Sequence, residues 1–340
     1  MRRSLSRPVA RTHSYTHQGD FDNGEDPPPS PSSSDSSVDE EEVNRRVKPF
    51  WPKYQAVFRS RGIRLDTVRD VKLFYKQQLK AGSSTLYHPF HSQTEFQQSD
   101  DALCPDAGLP DNLFRGIRIS DSKRVVVKAV HAGSREYSIV YKLSQPPFRN
   151  DPMNHTIPVL DQFTVPEDDM AFIIMEEWST NLVASLGPCC MTRFLLAMRQ
   201  CIEHAAFLHK HRIAHLDISL MNLLTDYHGR YAYIDYELSR HFDNLSPSLI
   251  YNYRGTELPP ESESSTGIDP YKVDVWALGV LILRACKLTG YWIPELMLVI
   301  KPMLEDEPSR RPSSWHALHA FDKVVTSLGY RLESNCNEPH

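Results

Sequence analysis

His215-Leu-Asp-Ile-Ser-Leu-Met-Asn222 is the stretch whose reading decides the rest of the chain. Asp217 is followed five residues later by Asn222. A carboxylate and an amide at this spacing suit phosphoryl transfer. The carboxylate accepts a hydroxyl proton, and the amide oxygen holds a magnesium ion. The same Asp would serve equally as a helix cap or a turn carboxylate, so the surrounding sequence has to decide.

Length and composition set the bounds. With 340 residues the chain is long enough for one large domain or two small ones. A formal charge of −5 implies no strong nucleic-acid field. The six cysteines, Cys104, Cys189, Cys190, Cys201, Cys286 and Cys336, lack the spacing of a disulfide framework or a zinc site and read as reduced thiols. No apolar run approaches the length of a membrane span. The first 18 residues carry Arg2, Arg3, Arg7 and Arg11 and no acid. Pro8 and the missing apolar face make this a basic tail, not a presequence. The absence of export signals makes an intracellular location, cytoplasmic or nuclear, the expectation; oligomeric state is not readable.

Residues 1–45 read as a disordered tail, because Pro27–Pro31, the serines of 32–37 and the acids of 39–42 bring too little apolar surface to offset chain entropy. Residues 46–112 read as an N-terminal extension with two short helices. One carries Phe50, Trp51, Tyr54, Val57 and Phe58 at helical spacing, and the other starts after Asp66 as its N-cap. Residues 81–112 read as an irregular connection. Strands are expected at 115–119, at Val125–Val130 after a turn at Asp121-Ser122, near Val159-Leu160 and at Phe172–Met175; a short helix runs from Ser134 to Leu143. Beyond these the pattern turns helical. Phe194, Leu195, Met198, Ile202, Ala205 and Leu208 form one apolar stripe, and further helices are expected at 273–286, at 294–304 and from Ser313. In the last of these Trp315, Leu318 and Phe321 are expected to face inward. Strands first and helices second make an α+β chain with two unequal halves.

These elements carry motifs in a familiar order, and from roughly Leu113 to Leu328 the chain resembles the eukaryotic protein kinases. Val125-Val-Val-Lys128 resembles V-A-I-K, His215-Leu-Asp217 with Asn222 resembles the H-R-D loop, and Asp235-Tyr-Glu237 stands where D-F-G belongs. Pro259-Pro-Glu261 is similar to A-P-E, Asp274-Val-Trp-Ala-Leu-Gly-Val280 to the central helix of the large lobe, and Glu307–Pro312 to the D-P-x-x-R-P element. The resemblance implies a two-lobed protein-kinase-like fold, with a small β-rich N-lobe over about 113–178, a larger helical C-lobe over about 179–330, and a tail at 331–340. It also implies ATP and Mg²⁺ as cofactors and a protein hydroxyl, of Ser or Thr, as substrate, with no nucleic acid and no membrane. Carried over residue by residue, Asp217 is the catalytic base. Lys128 pairs with nucleotide phosphates and is held by Glu136. Asn222 and Asp235 are magnesium ligands. Met175, Glu176 and Trp178 lie along the nucleotide. Asp274 holds the catalytic loop, and Arg311 pairs with Glu261.

Several positions depart from the pattern. No G-x-G-x-x-G precedes Lys128, and Gly116 is the only glycine in residues 109–128. Leu216 replaces the arginine of H-R-D, Ser219 the lysine two residues after the catalytic Asp, and Glu237 the glycine of D-F-G. The step from Lys128 to Glu136 is short, and only Leu288–Ile293 separates two helices between which the family places another. Phe50-Trp51, Ser60–Leu65 and Arg118–Ser122 are similar to a divergent fungal group of kinase-like proteins. A catalytically weak binding or scaffold module, and a small-molecule phosphotransferase of the aminoglycoside or choline kinase type, stand as alternatives. Because Leu216 cannot meet a phosphate, phosphorylation of Ser246, Ser248, Tyr251 or Tyr253 should not switch activity on through this contact. Phosphatase treatment is expected to leave phosphoryl transfer unchanged; loss of transfer would overturn this.

Overall fold

The computed structural model describes residues 47–80, 99–106, 108–179, 190–243 and 248–332. The expected tail over 1–45, the segment 81–98, Ser246, and the C-terminal residues from 333 lie outside them.

A five-stranded antiparallel sheet forms the first half. Its strands are β1 (Ile63–Leu65), β2 (Leu113–Arg118), β3 (Arg124–His131), β4 (Val159–Val165) and β5 (Met170–Glu176), in the order β1-β2-β3-β5-β4. The period of two in β3 sends its side chains to opposite faces. Val125, Val127 and Ala129 enter a core with Phe114, Phe163 and Phe172 on one face. Lys128 therefore points to the other face. Helix α1 (Trp51–Ser60) covers the first face with Trp51, Tyr54 and Phe58. Tyr54 and Phe58 meet Phe172 with ring centroids 4.9 and 5.0 Å apart.

The sheet thus begins before residue 113. Its first strand comes from the segment read as an extension, with Ile63 opposite Arg118 and Leu65 opposite Gly116. This explains Gly116. A Cβ there would lie 2.7 Å from the Arg64 carbonyl oxygen, so the glycine serves a close strand approach. The stretch 66–112, with helix α2 (Val68–Lys80), joins β1 to β2. Asp66 does not cap that helix. It is buried and pairs with Arg124 at 2.8 Å, while Asp70 accepts from the Thr67 backbone N–H and hydroxyl. A buried carboxylate needs a charged partner more than a helix end needs a cap. Arg124 and Arg115 also share Glu177, at 2.9 and 2.6 Å, and Arg115 pairs with Asp106. These ion pairs tie the inserted stretch to the end of β5.

The loop after Lys128 is as short as the sequence demands. Helix α3 (Arg135–Ser144) starts three residues after β3, and Ser134 caps it by accepting from the Tyr137 N–H.

The second half is helical. Helix α4 (Met191–Lys210) lies buried among α5 (Pro270–Thr289), α6 (Met297–Met303) and α7 (Ser314–Ser327). Short strand pairs decorate it: β6 (Ile213–Ala214) with β9 (Arg240–His241), and β7 (Leu223–Thr225) with β8 (Tyr231–Tyr233). Asp269 and Pro270 start α5, and Gly290, at φ 73°, ends it. Only a short turn and one 3-10 turn, Pro294–Leu296, separate α5 from α6. Arg311 is fully buried and bidentate to Glu261 at 2.6 Å, with the Glu305, Lys272 and Asp306 carbonyls taking its other protons. Leu318 and Phe321 are buried as expected, but Trp315 is 47 % exposed. It sits in the first turn of α7 and borders a cavity of about 700 Å³ with Ala206 and His209 of α4 and with Tyr271.

Gly116→Ala should strain the β1–β2 pairing and lower stability by about 1–3 kcal/mol. Thermal or urea unfolding of the variant would show it; an unchanged midpoint would mean that β1 is not held in this register.

Candidate active site

Lys128 stands on the inner face of β3. Its Nζ lies 2.8 Å from Glu136 of α3, 3.0 Å from Asp235 and 3.0 Å from Glu237. The first two contacts join residues that the sequence assigned to one site. The third was not foreseen: Glu237 brings its carboxylate onto the same ammonium. Burial opposes the lysine's charge, but the fields of Glu136, Asp235 and Glu237 outweigh it and hold its pKa well above the usual value. Burial, with Asp235 and Glu237 nearby, lifts Glu136 to about 7 against the pull of Lys128. Asp235 is half-buried, which raises its pKa, but Lys128 holds it below the ordinary value.

Asp217 and Asn222 form a second group. Asn222 donates from Nδ2 to the Asp217 side chain at 2.6 Å and to its carbonyl at 3.0 Å. The other Asp217 oxygen accepts from the Thr256 N–H at 2.8 Å. Asp274 takes the backbone N–H groups of His215 and Leu216, both at 2.8 Å, so one buried carboxylate pins the turn before Asp217. His209 Nε2 lies 2.9 Å from Asp274, and its Nδ1 lies 2.8 Å from Ser314 Oγ. Leu216 and Asp235 both adopt positive φ, 64° and 65°. Non-glycine residues hold such angles only where surrounding contacts overdetermine them.

The substitution at 216 has a visible replacement. Leu216 packs in a cluster with Ala214, Ile250, Ile268 and Val273. Ile250 and Ile268 pair backbone to backbone at 3.0 and 2.9 Å. The Ile250–Ile268 pairing is thus joined to the turn before Asp217 by apolar packing. Gly255 also lies against the Leu216 carbonyl, leaving no room for a side chain.

A third set escaped the sequence reading. The Tyr236 hydroxyl lies 2.9 Å from both His204 Nε2 and Thr156 Oγ1. The His155 backbone N–H donates to His204 Nδ1 at 3.0 Å. Nδ1 is therefore the acceptor, Nε2 carries the proton to Tyr236, and Tyr236 donates to Thr156. Burial first, then neighbouring His155 and His215, drive the His204 pKa well below normal, so the ring is neutral. The one signal available was a histidine inside the apolar stripe of α4, which required a buried partner.

Met175 and Glu176 end β5 opposite Val126 and Val125. The Trp178 indole donates to Glu176 at 3.1 Å and packs against Leu224, Ala232 and Ile234. This joins the end of the sheet to the β7–β8 hairpin that carries the second group.

For a divalent cation the donors fit. Carboxylate oxygens of Glu136, Asp235 and Glu237 all lie within 4.8 Å of one another. Three carboxylates around one ammonium leave an excess of negative charge, of the hard-oxygen kind that magnesium takes. Asn222 uses its amide nitrogen on Asp217, so its oxygen is the atom left for a metal.

A β-rich lobe and a helical lobe, joined beside a Lys–Glu–Asp cluster and an Asp–Asn loop, define the protein-kinase class of fold. The protein kinase domain family model matches residues 162–293, which include the Asp217–Asn222 loop and Asp235 but not Lys128. The mitogen-activated protein kinase kinase kinase YODA of Arabidopsis thaliana is 28% identical over 156 residues, covering 38% of this chain and 18% of its own length. The serine/threonine-protein kinase stk11 homolog of Dictyostelium discoideum is 24% identical over 191 residues, 52% of this chain and 31% of its own. The serine/threonine-protein kinase chk1 of Schizosaccharomyces pombe is 27% identical over 172 residues, with 41% and 34% covered. The chain thus spans about a third or less of these relatives. Over residues 162–293 the chain is similar to the protein kinase domain family.

A neutral, buried His204 sets a pH dependence. Its folded pKa is depressed, so below about pH 6.5 the unfolded chain binds a proton that the folded chain refuses. Stability should therefore fall as pH drops through 6.5 toward 5. Melting curves across this range should show the loss, and the slope should flatten in His204→Gln.

Proposed function

We propose that this chain is an ATP-dependent protein kinase that transfers a phosphoryl group to a serine or threonine hydroxyl. The observation that carries the reading is the meeting of Lys128, Glu136 and Asp235 at one ion cluster, beside an Asp217–Asn222 loop anchored by Asp274. Lys128 engages nucleotide phosphate oxygens, and Glu136 orients it. Asn222 and Asp235 would hold magnesium, which neutralises charge on the phosphates when bound. Asp217 accepts the hydroxyl proton as the substrate oxygen bonds to the terminal phosphorus and the nucleoside diphosphate leaves. Met175, Glu176 and Trp178 border the nucleotide.

The kinase domain takes in the sheet from β1 onward and ends near residue 330. Resemblance at Phe50-Trp51, Ser60–Leu65 and Arg118–Ser122 supports membership of a divergent fungal group. The near-neutral charge supports a protein substrate over nucleic acid, and no helix among the described residues is long and apolar enough to cross a membrane. The site of action is the cytoplasm or nucleus. One observation favours the weak binding module instead: the long stretch 66–112 joins β1 to β2 where the family has its glycine loop.

Two measurements separate the readings: nucleotide binding by thermal shift, and radiolabel transfer to mixed protein substrates. Asp217→Ala should cut transfer by roughly 100- to 10,000-fold while nucleotide stabilisation persists. Transfer that survives this change would remove Asp217 from its role. Absence of any Mg²⁺-ATP stabilisation would favour the binding module.

A further inference from the structure

An ammonium group has three N–H bonds and no more. In this chain Lys128 directs them at three carboxylates: both oxygens of Glu136 lie 2.8–2.9 Å away, with one each of Asp235 and Glu237 at 3.0 Å. No donor is left for a phosphate oxygen. A nucleotide phosphate therefore reaches Lys128 only by displacing a carboxylate.

The three are not equally displaceable. Glu136 is 3 % exposed on a capped helix, and its Oε1 also accepts the Tyr236 N–H at 3.3 Å. Asp235 is fixed by its positive φ, and the Glu237 N–H donates to its carboxylate. Glu237 reaches Lys128 on a longer side chain, from an irregular stretch between β8 and β9. It has more rotamers than Asp235, which is the more exposed of the two at 38 %, and at 13 % exposure it has more access to solvent than Glu136. Its removal also relieves crowding, since three carboxylates face one cation and a phosphate brings further negative charge.

We propose that Glu237 is a built-in competitor for nucleotide phosphate: its carboxylate occupies Lys128 in the nucleotide-free chain and is displaced when a polyphosphate binds. This rests on the nucleotide reading above and deepens it. The ligand class is a nucleoside polyphosphate. A nucleoside without phosphates has no need to displace Glu237, so the competition acts on the phosphates alone. The departure from D-F-G thereby weakens nucleotide affinity without removing any group that the transfer uses.

The test compares the full chain with Glu237→Gln, which keeps the shape and removes the charge, and with Glu237→Ala as a second variant. Isothermal titration with Mg²⁺-ATP and with adenosine measures each, and melting curves confirm folding. Both variants should bind ATP at least about tenfold more tightly than the wild type, because an ionic hydrogen bond to Lys128 no longer has to be broken. Adenosine affinity should stay the same. Binding of ATP by the variants where the wild type shows none would support the proposal equally. Unchanged or weaker ATP affinity in folded variants, with the wild type binding normally, would overturn the competition and leave the nucleotide reading standing. No binding of ATP by any of the three would overturn both.

Discussion

A single ammonium group, Lys128 Nζ, holds together the parts of this molecule that meet at the site. It is supplied by β3, met by Glu136 from α3, and met again by Asp235 and Glu237 from beyond β8. An isolated charge at such depth is too costly to keep, and one cation facing three carboxylates is not balanced either. The fold must therefore keep all three elements in place to keep any of the charges. That demand explains the short turn before α3, which leaves Glu136 no slack. It also explains the weight of apolar packing behind β3, where Trp51, Phe58, Phe114 and Phe172 fix the strand from its other face. The buried pair itself is weak grounds for net stability; its role is to fix geometry.

The loop bearing Asp217 is held by different means. Asp274 gathers two backbone amides and His209, and Ser314 steadies the far side of that histidine. Tyr236 adds an ordered chain of protons from His204 to Thr156, which a phenylalanine would not form. Leu216 joins Ile250 and Ile268 in an apolar cluster. Together these contacts order the large lobe, and Glu257, just before Pro259-Pro-Glu261, adds an ion pair with Arg284 of α5 at 2.9 Å. Leu216, a departure from the motif, thus has a physical counterpart nearby.

Much of this was readable in the sequence. The order of strands and helices follows from the side-chain pattern; the Lys128–Glu136 pair, the Asp274 anchor and the Arg311–Glu261 pair follow from the resemblance, and the geometry has each of these contacts. The misreadings share one cause. Asp66 looks like a cap because capping is a local pattern, yet its partner Arg124 lies on another strand. Trp315 fits an apolar stripe with Leu318, but the stripe does not say that its position borders an open cavity. Gly116, the only glycine in residues 109–128, answers to the backbone of β1, which no local pattern shows. That strand of three residues carries too short a pattern to announce itself.

The sequence by itself determined the class of fold and which residues carry charge at the centre, because side-chain period and motif order are properties of the chain alone. Only the tertiary structure decided how those charges are shared. That Glu237 turns onto Lys128, that Tyr236 and His204 exchange a hydrogen bond, and that β1 opens the sheet are all matters of distance between residues far apart in sequence. Burial sets their energies, since a charge or polar group withdrawn from water must take whichever partner the fold brings within reach.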